Sequence, residues 1–188
     1  AAIADAHGLE EAGAAILAPL GDGSLGAPDA PFAGLIVLDG NLRTELLTEI
    51  AVSPLFTAAD LRLAPASPGK VERLLPLLRR PRTTLYANLE EAGFLTGARY
   101  ADAPTAAAGL IAAGAERVLV TDGPRAAAFH GPEGAHAASP PPLSPRHVTG
   151  AGDAFMAGHI AAELCGATPQ AALRAALAVA AKHLEEDP

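Results

Sequence analysis

Short unbroken apolar runs recur along the chain, separated by longer stretches in which apolar positions return every three or four residues. Leu35-Ile36-Val37-Leu38 is the first such run, and its continuous apolarity fits a strand covered on both faces. Leu61-Arg62-Leu63-Ala64, Thr83-Thr84-Leu85-Tyr86 and Arg117-Val118-Leu119-Val120-Thr121 read as further strands. The spacing predicts a helix over 42–52, with Asn41 as its cap and Pro54 as its stop. Ser67-Pro68-Gly69-Lys70 leads into another, whose Val71, Leu74, Leu75 and Leu78 share one face. Asn88 opens a helix that reaches Leu95 and ends at Gly97, and the next helix covers 105–113 up to Gly114. Beyond the turn Asp122-Gly123-Pro124, residues 126–129 and 135–138 read as two short antiparallel strands, and 140–145 as an exposed proline-rich linker. The Ala-rich run 156–165 reads as a helix with Phe155, Met156, Ile160 and Leu164 near one face. Thr168-Pro169, cap then first position, starts a last helix that ends near Leu184. Residues 1–8 read as the end of a strand and a turn.

Strands alternating with helices of ten or so residues imply an α/β fold, a parallel sheet sandwiched between helix layers. A chain of 188 residues is long enough for one such core and fits a single domain over 1–188. In these folds ligands collect at the carboxyl ends of the strands. Four polar segments fall there: Asp39-Gly40-Asn41, Asn88-Leu89-Glu90-Glu91, Thr121-Asp122-Gly123 and Gly150-Ala151-Gly152-Asp153. Four polar loops on one rim make a site.

The last of them carries the most chemistry. Two glycines flanking one alanine let the backbone approach a ligand closely, and the helix that starts here presents unpaired N–H groups and the positive end of its dipole. A phosphate is favoured at such a place. Asp153 beside it could accept a proton from an attacking hydroxyl, while the amides of Gly150, Ala151 and Gly152 hold the charge that builds on a transferring phosphoryl group. The plain alternative is a two-glycine loop with Asp153 as an ordinary first-turn acid. Gly21-Asp22-Gly23-Ser24-Leu25-Gly26 matches the GxGxxG dinucleotide pattern, but Pro28 and Pro31 follow where a helix is needed, so the segment reads as a loop. No Walker A pattern occurs, so a nucleotide would be held without a P-loop lysine.

Composition removes alternatives. A formal net charge of −8, with no run of Lys or Arg, argues against nucleic-acid and anionic-membrane partners. The single cysteine, Cys165, excludes a disulfide framework and a Cys-ligated metal site, and its apolar neighbourhood predicts a small core residue. No run of about 18 apolar residues exists and the first residues show no signal-peptide core, so the cytoplasm is the expected location.

Thr149-Gly150-Ala151-Gly152-Asp153-Ala154-Phe155, followed by Ala157-Gly158, resembles the C-terminal signature of the PfkB (ribokinase-like) family of carbohydrate and nucleoside kinases. The resemblance implies a ribokinase-like three-layer α/β/α sandwich with a mostly parallel central sheet, ATP as phosphoryl donor, Mg2+ as cofactor and a small sugar or nucleoside as acceptor. It implies Asp153 as catalytic base and Gly150, Ala151 and Gly152 as the anion hole. Asn88-x-x-Glu91 is similar to the family's Asn-x-x-Glu motif, whose Glu organises magnesium through its waters while the Asn sits near the phosphates. Read alone, Asn88 as a helix cap with Glu91 as its capping-box partner is the better reading, and the family resemblance reverses that preference. Thr121-Asp122-Gly123 resembles the Thr-x-Gly turn by the nucleotide phosphates and ribose. Leu177 falls where the family's last helix lines the adenine, with core packing as its alternative.

The combination of Asp39-Gly40-Asn41-Leu42, Ala66-Ser67-Pro68-Gly69-Lys70, Tyr86-Ala87-Asn88-Leu89-Glu90-Glu91-Ala92 and Val148-Thr149-Gly150-Ala151-Gly152-Asp153 is most similar to pseudouridine kinases, which implies conversion of pseudouridine to its 5′-phosphate. Lys70 has a surface lysine at a helix start as its alternative reading. Ribose, fructose or a keto-deoxy acid as acceptor, and a non-catalytic nucleotide-binding module, are the competing readings of function. His147 stands where many relatives place an Asp of a monovalent-cation site, and an imidazole is a poor potassium ligand, which argues against potassium activation. The family's first glycine-rich signature, most of its substrate-selecting residues and its final strands have no counterpart in the sequence. Relatives pair through lid strands, so the resemblance is compatible with a homodimer.

Overall fold

The computed structural model describes residues 13–186. The strands are β1 (Leu35–Asp39), β2 (Asp60–Ala64), β3 (Thr83–Asn88), β4 (Arg117–Thr121), β5 (Ala127–Gly131) and β6 (Gly134–Ala138), and their order in the sheet follows their order in the chain. The α-helices are α1 (Thr44–Val52), α2 (Leu89–Thr96), α3 (Ala103–Ala112), α4 (Ala151–Leu164) and α5 (Pro169–Glu185). The α/β class read from the sequence is the class found. The strand end expected over residues 1–8 lies outside the described residues. Two compact units divide the chain, Ala1–Leu85 with Gly114–Glu116, and Tyr86–Ala113 with Arg117–Pro188.

In the first unit, β1, β2 and the start of β3 pair in parallel, Leu35 opposite Asp60 and Leu61 opposite Thr83. Leu61 and Leu63 of β2, Leu47 and Ile50 of α1 and Phe56 are fully buried and form its core. Two expectations are corrected here. Helix α1 begins at Thr44 with Arg43 at its cap, not with Asn41. Asn41 is drawn elsewhere: its amide donates to Asp39 Oδ2 at 2.7 Å and its carbonyl oxygen accepts from Lys70 Nζ at 2.7 Å. The segment Pro68–Leu77 is a 3₁₀ helix rather than an α-helix. Val71, Leu74 and Leu77 are buried, which is the three-residue period of that helix, and Leu75 is left 45% exposed. Pro76 inside the segment has no N–H to give to an α-helical ladder. The GxGxxG look-alike follows the 3₁₀ helix Gly13–Leu20 and leads into an isolated bridge between Ala27 and Ala30, so the loop reading of it holds.

In the second unit, β4, β5 and β6 pair antiparallel. Val118, Leu119 and Val120 are all fully buried, so both faces of β4 are covered. Helix α3 packs on β4 and β5, and α5 on β5 and β6. Helices α4 and α5 form a hairpin whose closest approach is at Gly158: a Cβ there would stand 2.8 Å from Val179 Cβ and 3.1 Å from Ala176 Cα. The apolar face expected for α4 is corrected accordingly. Phe155, Met156, Gly158 and His159 are buried, whereas Leu164 is 76% exposed. Cys165, expected in the core, is exposed at the helix C-cap. There Gly166 takes the left-handed conformation at φ 80° and turns the chain toward Thr168, the cap of α5.

Replacing Gly158 by valine forces a branched side chain into the α4–α5 seam. The expected loss is about 1–3 kcal/mol of unfolding free energy, read from urea titrations of parent and variant. An unchanged midpoint would show that the seam is loose.

Candidate active site

Helix α4 opens at Gly150, whose φ of 81° is left-handed. Glycine takes this conformation without strain. No side chain caps the helix, so the first-turn amides of Ala151, Gly152 and Asp153 face the helix mouth. Asp153 is exposed in that first turn.

Beside this helix mouth lies a cavity of about 650 Å³. Thr121, Asp122 and Gly123 at the end of β4 form one side of it, Ala151, Gly152 and Phe155 a second, and Leu177 of α5 a third. The sequence-predicted residues Thr121, Gly123, Ala151, Gly152 and Leu177 are thus brought together around one cavity. Asn88, Glu91, Gly150 and Asp153 do not line it, Gly150 and Asp153 each by a single residue. Leu177 is also buried, so it packs in the core and faces the cavity at once. The 140–145 segment, expected to be a mere exposed linker, supplies the remaining wall through Pro140, Leu143 and their neighbours. It is moored by the Arg146 N–H, which donates to the Leu184 carbonyl at 2.8 Å. The Asp122 carboxylate is gripped from two sides by Arg125, at 2.7 and 2.8 Å, which fixes the turn that borders the cavity.

Asn88 and Glu91 form a reciprocal capping box at the start of α2. The Glu91 N–H donates to Asn88 Oδ1 at 2.9 Å, and the Asn88 N–H donates to Glu91 Oε2 at 2.8 Å. The plain reading of the pair is therefore realised. Glu91 is buried, and burial pushes its carboxyl above the usual glutamate range; the Asn88 N–H opposes that shift and neighbouring Glu90 adds to it.

A buried polar chain ties α4 to the strands, and sequence reasoning missed it. Tyr86 Oη of β3 lies 2.9 Å from His159 Nδ1, which lies 3.4 Å from Glu163 Oε2. Glu163 Oε1 in turn accepts from Arg117 of β4, whose guanidinium sits 5.6 Å from the centre of the Phe129 ring. The available signal was the four-residue spacing of His159 and Glu163 within a helical pattern.

The Asp39-Gly40-Asn41 loop belongs to the first unit, the other three loops to the second. Within its own unit it is a connected cluster. Asp39, Asn41 and Lys70 are linked as described, and Arg73 donates to the carbonyls of Gly40 and Leu42 at 3.3 and 3.4 Å. Lys70 is half-buried and bonded, not a loose surface lysine.

The family described as "pfkB family carbohydrate kinase" matches residues 32–186. Among solved structures, a carbohydrate kinase from Agrobacterium tumefaciens is similar to the whole chain at 26% identity and TM-score 0.77, with 58% of that protein covered. Ribokinase from Arabidopsis thaliana, complexed with ribose and ATP, is similar over 82% of this chain and 50% of its own at 23% identity and TM-score 0.69. A variant of phosphofructokinase-2 from Escherichia coli is similar over 84% of this chain and 53% of its own, at 18% identity and TM-score 0.70. The chain therefore spans about half the length of the structures it resembles. No curated protein sequence matches it. The likeness shows a ribokinase-like α/β fold with a mostly parallel central sheet.

The raised pKa of Glu91 makes a prediction about stability. Folding favours its protonated form, so its contribution is complete below the ordinary glutamate value near 4.5 and is lost as pH rises through the elevated folded value. Glu91→Gln keeps an acceptor for the Asn88 N–H without the charge. Its melting temperature is expected to gain on the parent as pH rises from about 4.5 to 7, measured by calorimetry. A difference that is constant with pH would contradict this.

Proposed function

The chain belongs to the pfkB family of carbohydrate kinases, and on that premise we propose that it transfers the γ-phosphoryl group of ATP to a hydroxyl of a sugar or nucleoside. One observation carries the reading: a cavity of about 650 Å³, of a size usual for small-molecule sites, borders the N-terminus of α4, with Asp153 one residue beyond its wall. Leu177 and Phe155 offer the base an apolar surface, and the Thr121-Asp122-Gly123 turn is assigned to ribose and phosphates, with Asn88 also assigned to the phosphates. Asp153 takes the proton of the acceptor hydroxyl as its oxygen bonds to phosphorus and the bond to the departing ADP oxygen breaks. The amides of Gly150, Ala151 and Gly152 stabilise the charge on the transferring group. ADP and a phosphate ester leave.

Magnesium, when bound, supplies charge neutralisation on the phosphates, and Glu91 is the carboxylate assigned to it, through water. Among the described residues no group of three or more His, Cys, Asp or Glu gathers to hold a metal ion. Magnesium keeps several waters and needs only one or two carboxylates besides phosphate, so a single assigned carboxylate is compatible with it. Pseudouridine is the acceptor favoured by the motif combination. No helix among the described residues is long and apolar enough to cross a membrane.

The test is phosphoryl transfer from ATP with magnesium to pseudouridine, uridine, adenosine, ribose and fructose, using the protein at its full natural length and its Asp153→Asn variant. Turnover of pseudouridine that falls by about 10²–10⁴ in the variant, with ATP still bound, is expected. Turnover of a different acceptor would move the substrate and keep the mechanism. Equal turnover in parent and variant would remove Asp153 as the base, and ATP binding without any turnover would favour a non-catalytic module.

A further inference from the structure

Two histidines that phosphoryl transfer leaves unused meet at the mouth of α4. His147 Nδ1 lies 3.2 Å and His183 Nε2 3.0 Å from the Thr149 carbonyl oxygen. Their rings stand edge to face, with centroids 4.8 Å apart and planes at 89°. His147 belongs to the loop itself, whereas His183 comes from the last turn of α5. A carbonyl oxygen has two lone pairs, and here two imidazole N–H groups meet it, which fixes a proton on Nδ1 of His147 and on Nε2 of His183.

The consequence for the backbone is geometric. The described residues contain no cis peptide bond, so the N–H of Gly150 points opposite to the C=O of Thr149. Holding that oxygen toward the imidazoles turns the Gly150 N–H to the other side. Glycine accepts both signs of φ, so position 150 by itself does not oppose reversal of this peptide. Reversal would present a carbonyl oxygen where an anion needs a donor. The His183 imidazole sits close against position 150: a Cβ there would come within 2.7 Å of its Nε2, so any larger residue would have to displace the ring. The position that gives the loop its freedom thus also admits the ring that removes it.

We infer that His147 and His183 are positioning residues that lock the Thr149–Gly150 peptide with its N–H available to the anion site at the start of α4. The inference rests on the reading of Gly150, Ala151 and Gly152 as an anion hole. A competing role exists, because the Arg146 N–H to the Leu184 carbonyl already docks this loop on α5, and His183 could simply add to that docking. The two roles separate by which ligand they affect. Docking affects everything that binds the cavity, whereas peptide orientation affects only a group that carries extra negative charge at the helix mouth.

The experiment compares, by titration calorimetry on the full-length protein with magnesium, the affinity for ADP alone and for ADP with aluminium fluoride, a mimic of the transferring phosphoryl group. Steady-state kinetics accompany it. In His183→Leu, and in His147→Leu, which changes the loop alone, ADP affinity and the KM for ATP stay within about twofold. The tightening by aluminium fluoride and kcat each fall about tenfold or more, because a misdirected oxyanion donor acts on the transition state. His183→Gln and His147→Asn, which return an N–H near the lost Nε2 and Nδ1, recover most of both. Undiminished tightening and kcat in the leucine variants overturn the inference, as does a parallel loss of ADP affinity, or amide variants as poor as the leucine ones. A parent that binds ADP with no tightening by aluminium fluoride overturns the anion-hole reading itself, an outcome distinct from all of these.

Discussion

Helix α4 lies where it does because position 158 has no side chain and position 159 has a buried one. Gly158 lets α5 come within van der Waals reach of the α4 backbone, and His159 on the next position joins Tyr86 of β3 and, through Glu163, Arg117 of β4. The helix is thereby fixed from two directions, by close packing on one side and by a buried polar chain on the other. Removing one partner of such a chain leaves a buried polar group, at a cost of about 1–3 kcal/mol. The assigned anion hole and Asp153 depend on this placement, since they stand at the start of the same helix.

The electrostatics of the site are local. A chain with a formal net charge of −8 has no general field to attract a polyphosphate. Beside the charge neutralisation that magnesium would supply, attraction comes from oriented N–H groups and the helix dipole within the first turn of α4, which act over short distances beside a largely apolar cavity. Glu91 fits the same picture from the opposite sign. Its carboxyl is buried and raised in pKa, so burial works against its charged form.

Much of this was legible in the sequence because it is local. The apolar runs marked β1, β2, β3 and β4, Thr168-Pro169 marked the start of α5, and the Gly-Ala-Gly-Asp run marked a glycine-opened helix with an acid in its first turn. What was not legible depends on residues distant in sequence. Asn41 looks like a helix cap until Lys70, 29 residues on, takes its oxygen. The 68–77 segment looks α-helical by its leucines until burial at every third position, with Pro76 in the ladder, selects the tighter helix. Cys165 and Leu164 look like core because they are apolar, yet the seam at Gly158 sets which face of α4 is inward. His183, 34 residues from Thr149, carries no signal in its own neighbourhood.

The central claim is that nucleotide binds in the cavity beside α4 with its phosphates at the helix mouth. Amide chemical shifts of the 15N-labelled protein, titrated with ADP, magnesium and aluminium fluoride, test it most directly. The account predicts the largest changes at Thr121, Gly123, Gly150, Ala151, Gly152 and Asp153, with Leu177 moving as the base settles. Saturable binding whose shifts spare the first turn of α4 would contradict it.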